Sequence, residues 1–144
     1  MVCYYSYNDI KVYDRLQELY AKYGYVLDQT VSISYSGLNA MKDMTAVVDG
    51  LKTKQVDKVG TTKVNAVRDY SSLTRTLSNG EKEKLESASA NAIYYELEGD
   101  GFICVRPSGT EPKLKIYYSV KGESYQKAQE IFNQVKQNFE KLVK

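Results

Sequence analysis

Apolar residues recur at spacings of three and four along the first stretch of the chain: Ile10, Tyr13, Leu16, Leu19, Tyr20 and Tyr23. That period predicts an amphipathic helix. Asn8 is placed to cap its start, and Gly24 stands where a helix end favours a left-handed residue. The period then falls to two. Val31, Ile33 and Tyr35 alternate with Thr30, Ser32 and Ser34, which predicts a half-buried strand. Gly37 breaks it, and Leu38, Met41, Met44, Val47, Val48 and Leu51 supply the stripe of a second helix. A short strand follows from Lys63 to Tyr70, carried by Val64 and Val67.

Residues 71–90 break the pattern. They are rich in Ser and Thr, contain Asn79-Gly80 and carry the charge run Glu81-Lys82-Glu83-Lys84, which predicts a mobile surface excursion. Alternation resumes with Ile93, Tyr95 and Leu97 against Tyr94, Glu96 and Glu98. Asp100-Gly101 predicts a hairpin turn, with Phe102 to Val105 returning. Leu114, Ile116, Tyr118 and Val120 then alternate with Lys115, Tyr117 and Ser119. A last helix opens at Ser124 and buries Tyr125, Ala128, Ile131, Phe132, Val135, Phe139 and Leu142. This order fits an α+β fold: an antiparallel sheet of roughly four to five strands with helices packed on one face. The first helix is an addition, with no partner strand of its own.

Composition narrows the function. The chain has 144 residues with 42% hydrophobic and 26% charged positions, enough for one globular core. A net charge of +2 points to neither a nucleic-acid nor a membrane surface, and the basic residues are dispersed rather than gathered on one element. Histidine is absent, which removes the usual general base, the commonest metal ligand and any His-based triad. The acidic residues Asp9, Asp14, Asp43 and Asp49 are scattered over helices rather than clustered as a metal site. Cys3 and Cys104 are too few for a disulfide framework and fit a reduced, cytoplasmic protein. No apolar run reaches the length of a membrane span, and no signal peptide is expected. Fourteen tyrosines and no tryptophan read as half-buried packing positions.

The chemistry concentrates between two strands, in Arg106-Pro107-Ser108-Gly109-Thr110-Glu111-Pro112-Lys113. Arg106 offers a planar fork of donors that matches phosphate oxygens. Ser108 and Thr110 add hydroxyls. Gly109 allows the backbone to turn its N–H groups inward as an anion nest. Pro107 and Pro112 restrict the segment, so less entropy is lost when an anion binds. Lys115 leaves the loop on the face opposite Leu114 and Ile116. Ser108 has no base to activate it and reads as a hydrogen-bond donor, not a nucleophile.

This run, continued by Leu114-Lys115-Ile116-Tyr117, resembles the C-terminal phosphate-binding loop of the α-D-phosphohexomutases, the phosphoglucomutase/phosphomannomutase family. The likeness extends to Ala90-Asn91-Ala92-Ile93-Tyr94-Tyr95, to Asp69-Tyr70, and to a helix ending Glu18-Leu19-Tyr20-Ala21-Lys22-Tyr23-Gly24. Glu111-Pro112-Lys113-Leu114-Lys115 looks more like the phosphoglucomutase and phosphomannomutase branches than the phosphoglucosamine branch.

The resemblance implies a great deal. Members are normally built of four domains, and this chain looks like the last one, with a TBP-like sheet. Residues 1–24 would then be the closing helix of the preceding, third domain, and residues 25–144 the C-terminal phosphate-binding domain. The family moves a phosphoryl group between the 1- and 6-positions of a hexose, using a phosphoserine loop and a Mg2+ loop that this sequence lacks. The C-terminal domain grips the phosphate that is not reacting. Carried over residue by residue, Arg106, Ser108, Gly109 and Thr110 form the cradle and Lys115 also touches phosphate, with Lys113 a further basic neighbour. No residue here is then catalytic, and no metal or other cofactor is expected in this piece. Its expected partners are a hexose phosphate and the remaining domains of the parent enzyme, with neither nucleic acid nor membrane. The alternative is a stand-alone, non-enzymatic module that binds phosphosugars or other anions.

Overall fold

The computed structural model describes residues 11–143. The predicted cap at Asn8, together with Ile10, Asp9 and Cys3, lies outside the described residues. The first element is helix α1, Val12–Tyr23. It closes at Gly24, whose φ of 90° and N–H bond to the Tyr20 carbonyl (2.8 Å) match the expected helix stop. Strand β1 (Tyr25–Ser34), helix α2 (Ala40–Thr53) and the two-residue strand β2 (Lys58–Val59) follow. Then come β3 (Thr62–Asp69), β4 (Thr74–Leu77), β5 (Lys82–Lys84), β6 (Ile93–Leu97), β7 (Phe102–Pro107) and β8 (Lys113–Gly122). Helix α3 (Tyr125–Glu140) ends the fold. Ser124 caps it as the sequence predicts, its hydroxyl accepting from the Lys127 N–H at 3.2 Å.

The sheet runs β1-β8-β7-β6-β3-β4-β5, with β2 paired beside β3, and all its pairings are antiparallel. Among the described residues it has eight strands rather than four to five. The added strands arise where apolar alternation is weak. β2 is only a bridge, and β4 and β5 form a hairpin inside the expected surface excursion. Asn79-Gly80 makes the turn of that hairpin, with Gly80 at φ 88°. Backbone pairing and the Arg75–Glu83 ion pair (2.7 Å) hold β5, which contains no apolar side chain to reveal it. The remainder of the excursion is tied to Tyr70, whose N–H donates to Ala92 and whose carbonyl accepts from Ala90. The β6–β7 turn is shifted as well: the left-handed residues are Gly99 and Asp100, one position before the expected Asp100-Gly101.

One face of the sheet carries the core. Ile93, Tyr95, Ile103, Val105, Leu114, Ile116 and Tyr118 point to it and are essentially fully buried. They meet Met44, Val48 and Leu51 of α2 and Phe132, Val135 and Phe139 of α3. Burying each such side chain stabilises the fold by about 1.5–3 kcal/mol. Phe139 contacts both Tyr95 and Tyr118 edge to face, at centroid distances of 5.3 and 6.2 Å. Both helices therefore lie on the same face, as the pattern predicts. Two members of the α2 stripe do not join the core. Leu38 precedes the helix and is fully exposed, and Met41 faces outward, while Ala40 is buried in their place. Helix α1 buries no residue: Tyr13, Leu16 and Tyr23 stay exposed, and it meets the sheet through Tyr20 stacked on Tyr25 at 4.6 Å. With helices α2 and α3 on one face, no helix among the described residues packs on the opposite face of β6, β7 and β8, and the loop lies at its edge.

Candidate phosphate site

Alternation puts Arg106 and Lys115 on the open face of the sheet, since Val105, Leu114 and Ile116 fill the core face. The β7–β8 register then makes Arg106 and Lys115 direct cross-strand partners. The loop between them is closed by three backbone bonds. The Ser108 N–H donates to the Lys113 carbonyl (2.8 Å), the Lys113 N–H to the Glu111 carbonyl (2.7 Å), and the Tyr35 N–H to the Pro112 carbonyl (2.9 Å). The last bond ties the loop to the end of β1.

These residues enclose a cleft of about 180 Å³ lined by Arg106, Pro107, Ser108, Gly109, Lys115 and Tyr117. Four of the expected site residues, Arg106, Ser108, Gly109 and Lys115, thus meet around one small volume. Thr110 does not line it and is exposed nearby. Among the described residues, neither Arg106 nor Lys115 forms an ion pair. Lys113 differs, because its ammonium is paired with Glu111 at 2.7 Å. That partner, with a smaller contribution from Lys115, holds the Glu111 carboxyl below its usual range.

The backbone departs from expectation in two respects. The Ser108 N–H is spent on Lys113 and is not free for a ligand. Gly109 does not adopt a left-handed φ. A Cβ on Gly109 would meet nothing within 4 Å, so the protein's own atoms do not demand glycine there. What glycine leaves is open access to the backbone. The N–H groups of Gly109, Thr110 and Glu111 donate to no acceptor in the described chain, nor do the hydroxyls of Ser108 and Thr110.

Tyr117 is the lining residue not chosen from the motif. Its signal was available in the alternation, since it stands two positions after Lys115 on the same face. Its register partner Cys104 is half-buried, with a thiol pushed up by burial and drawn back by Arg106. A larger open cavity of about 590 Å³ lies beneath β3 and β4, lined by Val64, Val67, Thr76 and the Lys54–Asp57 turn, and includes none of the loop residues. Among the described residues no three His, Cys, Asp or Glu side chains gather to hold a metal ion. No helix among them is long and apolar enough to cross a membrane.

The phosphoglucomutase/phosphomannomutase C-terminal domain model matches residues 46–138, which include both strands and the loop of the cleft. The chain belongs to this family. Among curated relatives, a phosphoglucomutase of Staphylococcus haemolyticus is 32% identical over 125 residues, covering 86% of this chain and 23% of the relative. One of Staphylococcus saprophyticus is 31% identical over 118 residues, covering 81% of this chain and 21% of the relative. One of Staphylococcus aureus (strain bovine RF122) is 32% identical over 120 residues, covering 79% and 22%. The chain therefore spans about a fifth of the length of these relatives. Within the phosphoglucomutase/phosphomannomutase C-terminal domain, the cleft falls where β7 hands the chain to β8.

Proposed function

We propose that this chain is the phosphate-gripping C-terminal domain of a cytoplasmic phosphoglucomutase or phosphomannomutase that interconverts hexose 1-phosphate and hexose 6-phosphate. The observation that carries the reading is the cleft itself. Two cations that form no ion pair among the described residues share it, and backbone N–H groups without an acceptor among those residues lie on the loop beside it. A phosphoryl dianion satisfies both. Arg106 binds two oxygens through its fork, Lys115 supplies a point charge, and Ser108 with the Gly109 and Thr110 amides completes the cradle. The group held is the phosphate that is not transferred. Gripping it turns binding energy into positioning of the distant reacting oxygen.

The phosphoryl-transferring serine and the Mg2+ of the parent enzyme are assigned to its other domains. The exposed stripe of α1, with Tyr13, Leu16 and Tyr23, supports reading this helix as belonging to the preceding domain, whose surface it would cover.

Isolated, the domain binds weakly. Two or three charge-assisted hydrogen bonds of about 1.5–3 kcal/mol each must offset the cost of association. The expected Kd for glucose 6-phosphate is on the order of millimolar. The test is a titration of the 15N-labelled chain with glucose 6-phosphate at low salt, reading amide shifts. Saturable shifts at Gly109 and Thr110, abolished by Arg106→Ala, are expected. Shifts elsewhere, or none at ligand well above millimolar, would overturn the assignment. The chain alone is expected to show no turnover of glucose 1-phosphate.

A further inference from the structure

We propose that Tyr117 is the surface against which the sugar ring of a bound hexose phosphate rests, so that this cleft reads sugar as well as phosphate. The inference rests on the phosphate reading of the same cleft and extends it to the substrate's carbon skeleton.

Tyr117 lies two residues beyond Lys115 on β8, which places it about 7 Å further along the open face. A phosphoryl group held between Arg106 and Lys115 puts the ring it esterifies within that span. The cleft is small, about 180 Å³, so the sugar must emerge from it, and Tyr117 is its aromatic wall. Two other aromatic rings on this face are already engaged. Tyr94 stacks on Phe102 at 4.9 Å and lies under the Arg68 guanidinium at 5.3 Å. Among the described residues the Tyr117 side chain has neither a ring partner nor a hydrogen bond, and the residue is half-buried. Its cross-strand register neighbours are Cys104 on β7 and Thr30 on β1. A half-buried ring that lines the cleft and has no stacking partner among the described residues offers contact area to the C–H face of a sugar.

The experiment compares two ligands on the whole chain: inorganic phosphate, which lacks the sugar, and glucose 6-phosphate. Tyr117→Ala is expected to weaken glucose 6-phosphate about fivefold and to leave inorganic phosphate within about twofold. Tyr117→Phe keeps the ring and should bind both ligands as the parent chain does. Equal loss of both ligands in Tyr117→Ala, or no loss of either, overturns the inference. Loss of inorganic phosphate in Tyr117→Phe also overturns it, because the hydroxyl would then be a phosphate donor. If the unaltered chain binds neither ligand, the phosphate reading itself fails. If it binds both and only the Tyr117 pattern is wrong, that reading survives without this extension.

Discussion

Arg106 and Lys115 stand directly opposite each other across β7 and β8, two positive charges in one cross-strand pair, and neither forms an ion pair among the described residues. Like charges in that position oppose sheet pairing by roughly 0.2–1 kcal/mol. Each unpaired cation therefore costs the free protein stability and becomes an asset when an anion arrives. Lys115→Gln is expected to leave the ligand-free chain as stable or up to about 0.5 kcal/mol more stable. It should weaken glucose 6-phosphate binding by about tenfold. Urea unfolding and ligand titration on the same variant check both parts, and a destabilised variant with intact binding would contradict them.

Lys113, by contrast, is engaged with Glu111 at the rim. Lys113→Ala should change glucose 6-phosphate affinity by less than about twofold, because an exposed ion pair contributes little and the ammonium is outside the cleft. Isothermal titration of Lys113→Ala beside Arg106→Ala separates the two roles.

Glu96 is the acid-sensitive point of the open face. It accepts from both Arg75 (2.7 Å) and Arg68, and Arg75 leads in holding its carboxyl at about 2. A carboxyl lowered on folding stabilises the native state above its unfolded pKa. That stability is lost as pH falls from about 4.5 towards 2. Part of the acid destabilisation of the chain should therefore be absent in Glu96→Gln, whose stability at pH 7 should be lower by about 1–3 kcal/mol. Thermal melts from pH 7 to pH 2 read the difference. Parallel curves for the two proteins would remove Glu96 from the account.

The core contains a cost that the sequence alone does not expose. Among the described residues, the buried hydroxyls of Tyr95 and Tyr118 find no hydrogen-bond partner, and burial pushes both phenols above their usual range. Tyr95→Phe keeps the edge-to-face contact with Phe139 and removes the stranded hydroxyl. It should stabilise the fold by about 1 kcal/mol in urea unfolding. A loss of stability would place a partner on that oxygen.

Gly122 ends β8 against the first turn of α3. A Cβ there would collide with the backbone nitrogen of Ala128. Gly122→Ala should destabilise the chain by about 1–3 kcal/mol through displacement of α3, seen as a lowered urea midpoint. An unchanged midpoint would mean that α3 yields without cost.

Sequence legibility varied with the physical signal. The alternation of Ile93, Tyr95 and Leu97, and of Leu114, Ile116, Tyr118 and Val120, revealed strands because one face is driven into the core. Strand β5, Lys82–Lys84, has no such face and is stabilised by pairing with β4, which local pattern does not encode. The α2 stripe misled at Leu38 and Met41 because the helix starts later and is rotated by what it packs against.

Short-range order along the chain was enough to specify most of the elements, the motif from Arg106 to Lys113 and the shared face of Lys115 and Tyr117, because a period of two or of three to four is a local property. Tertiary pairing decided the rest. It set Arg106 opposite Lys115, spent the Ser108 amide on Lys113, brought Tyr117 into the cleft and left Thr110 outside it. Register and loop closure join residues that are distant in sequence, and those contacts depend on how the strands stack across a common core.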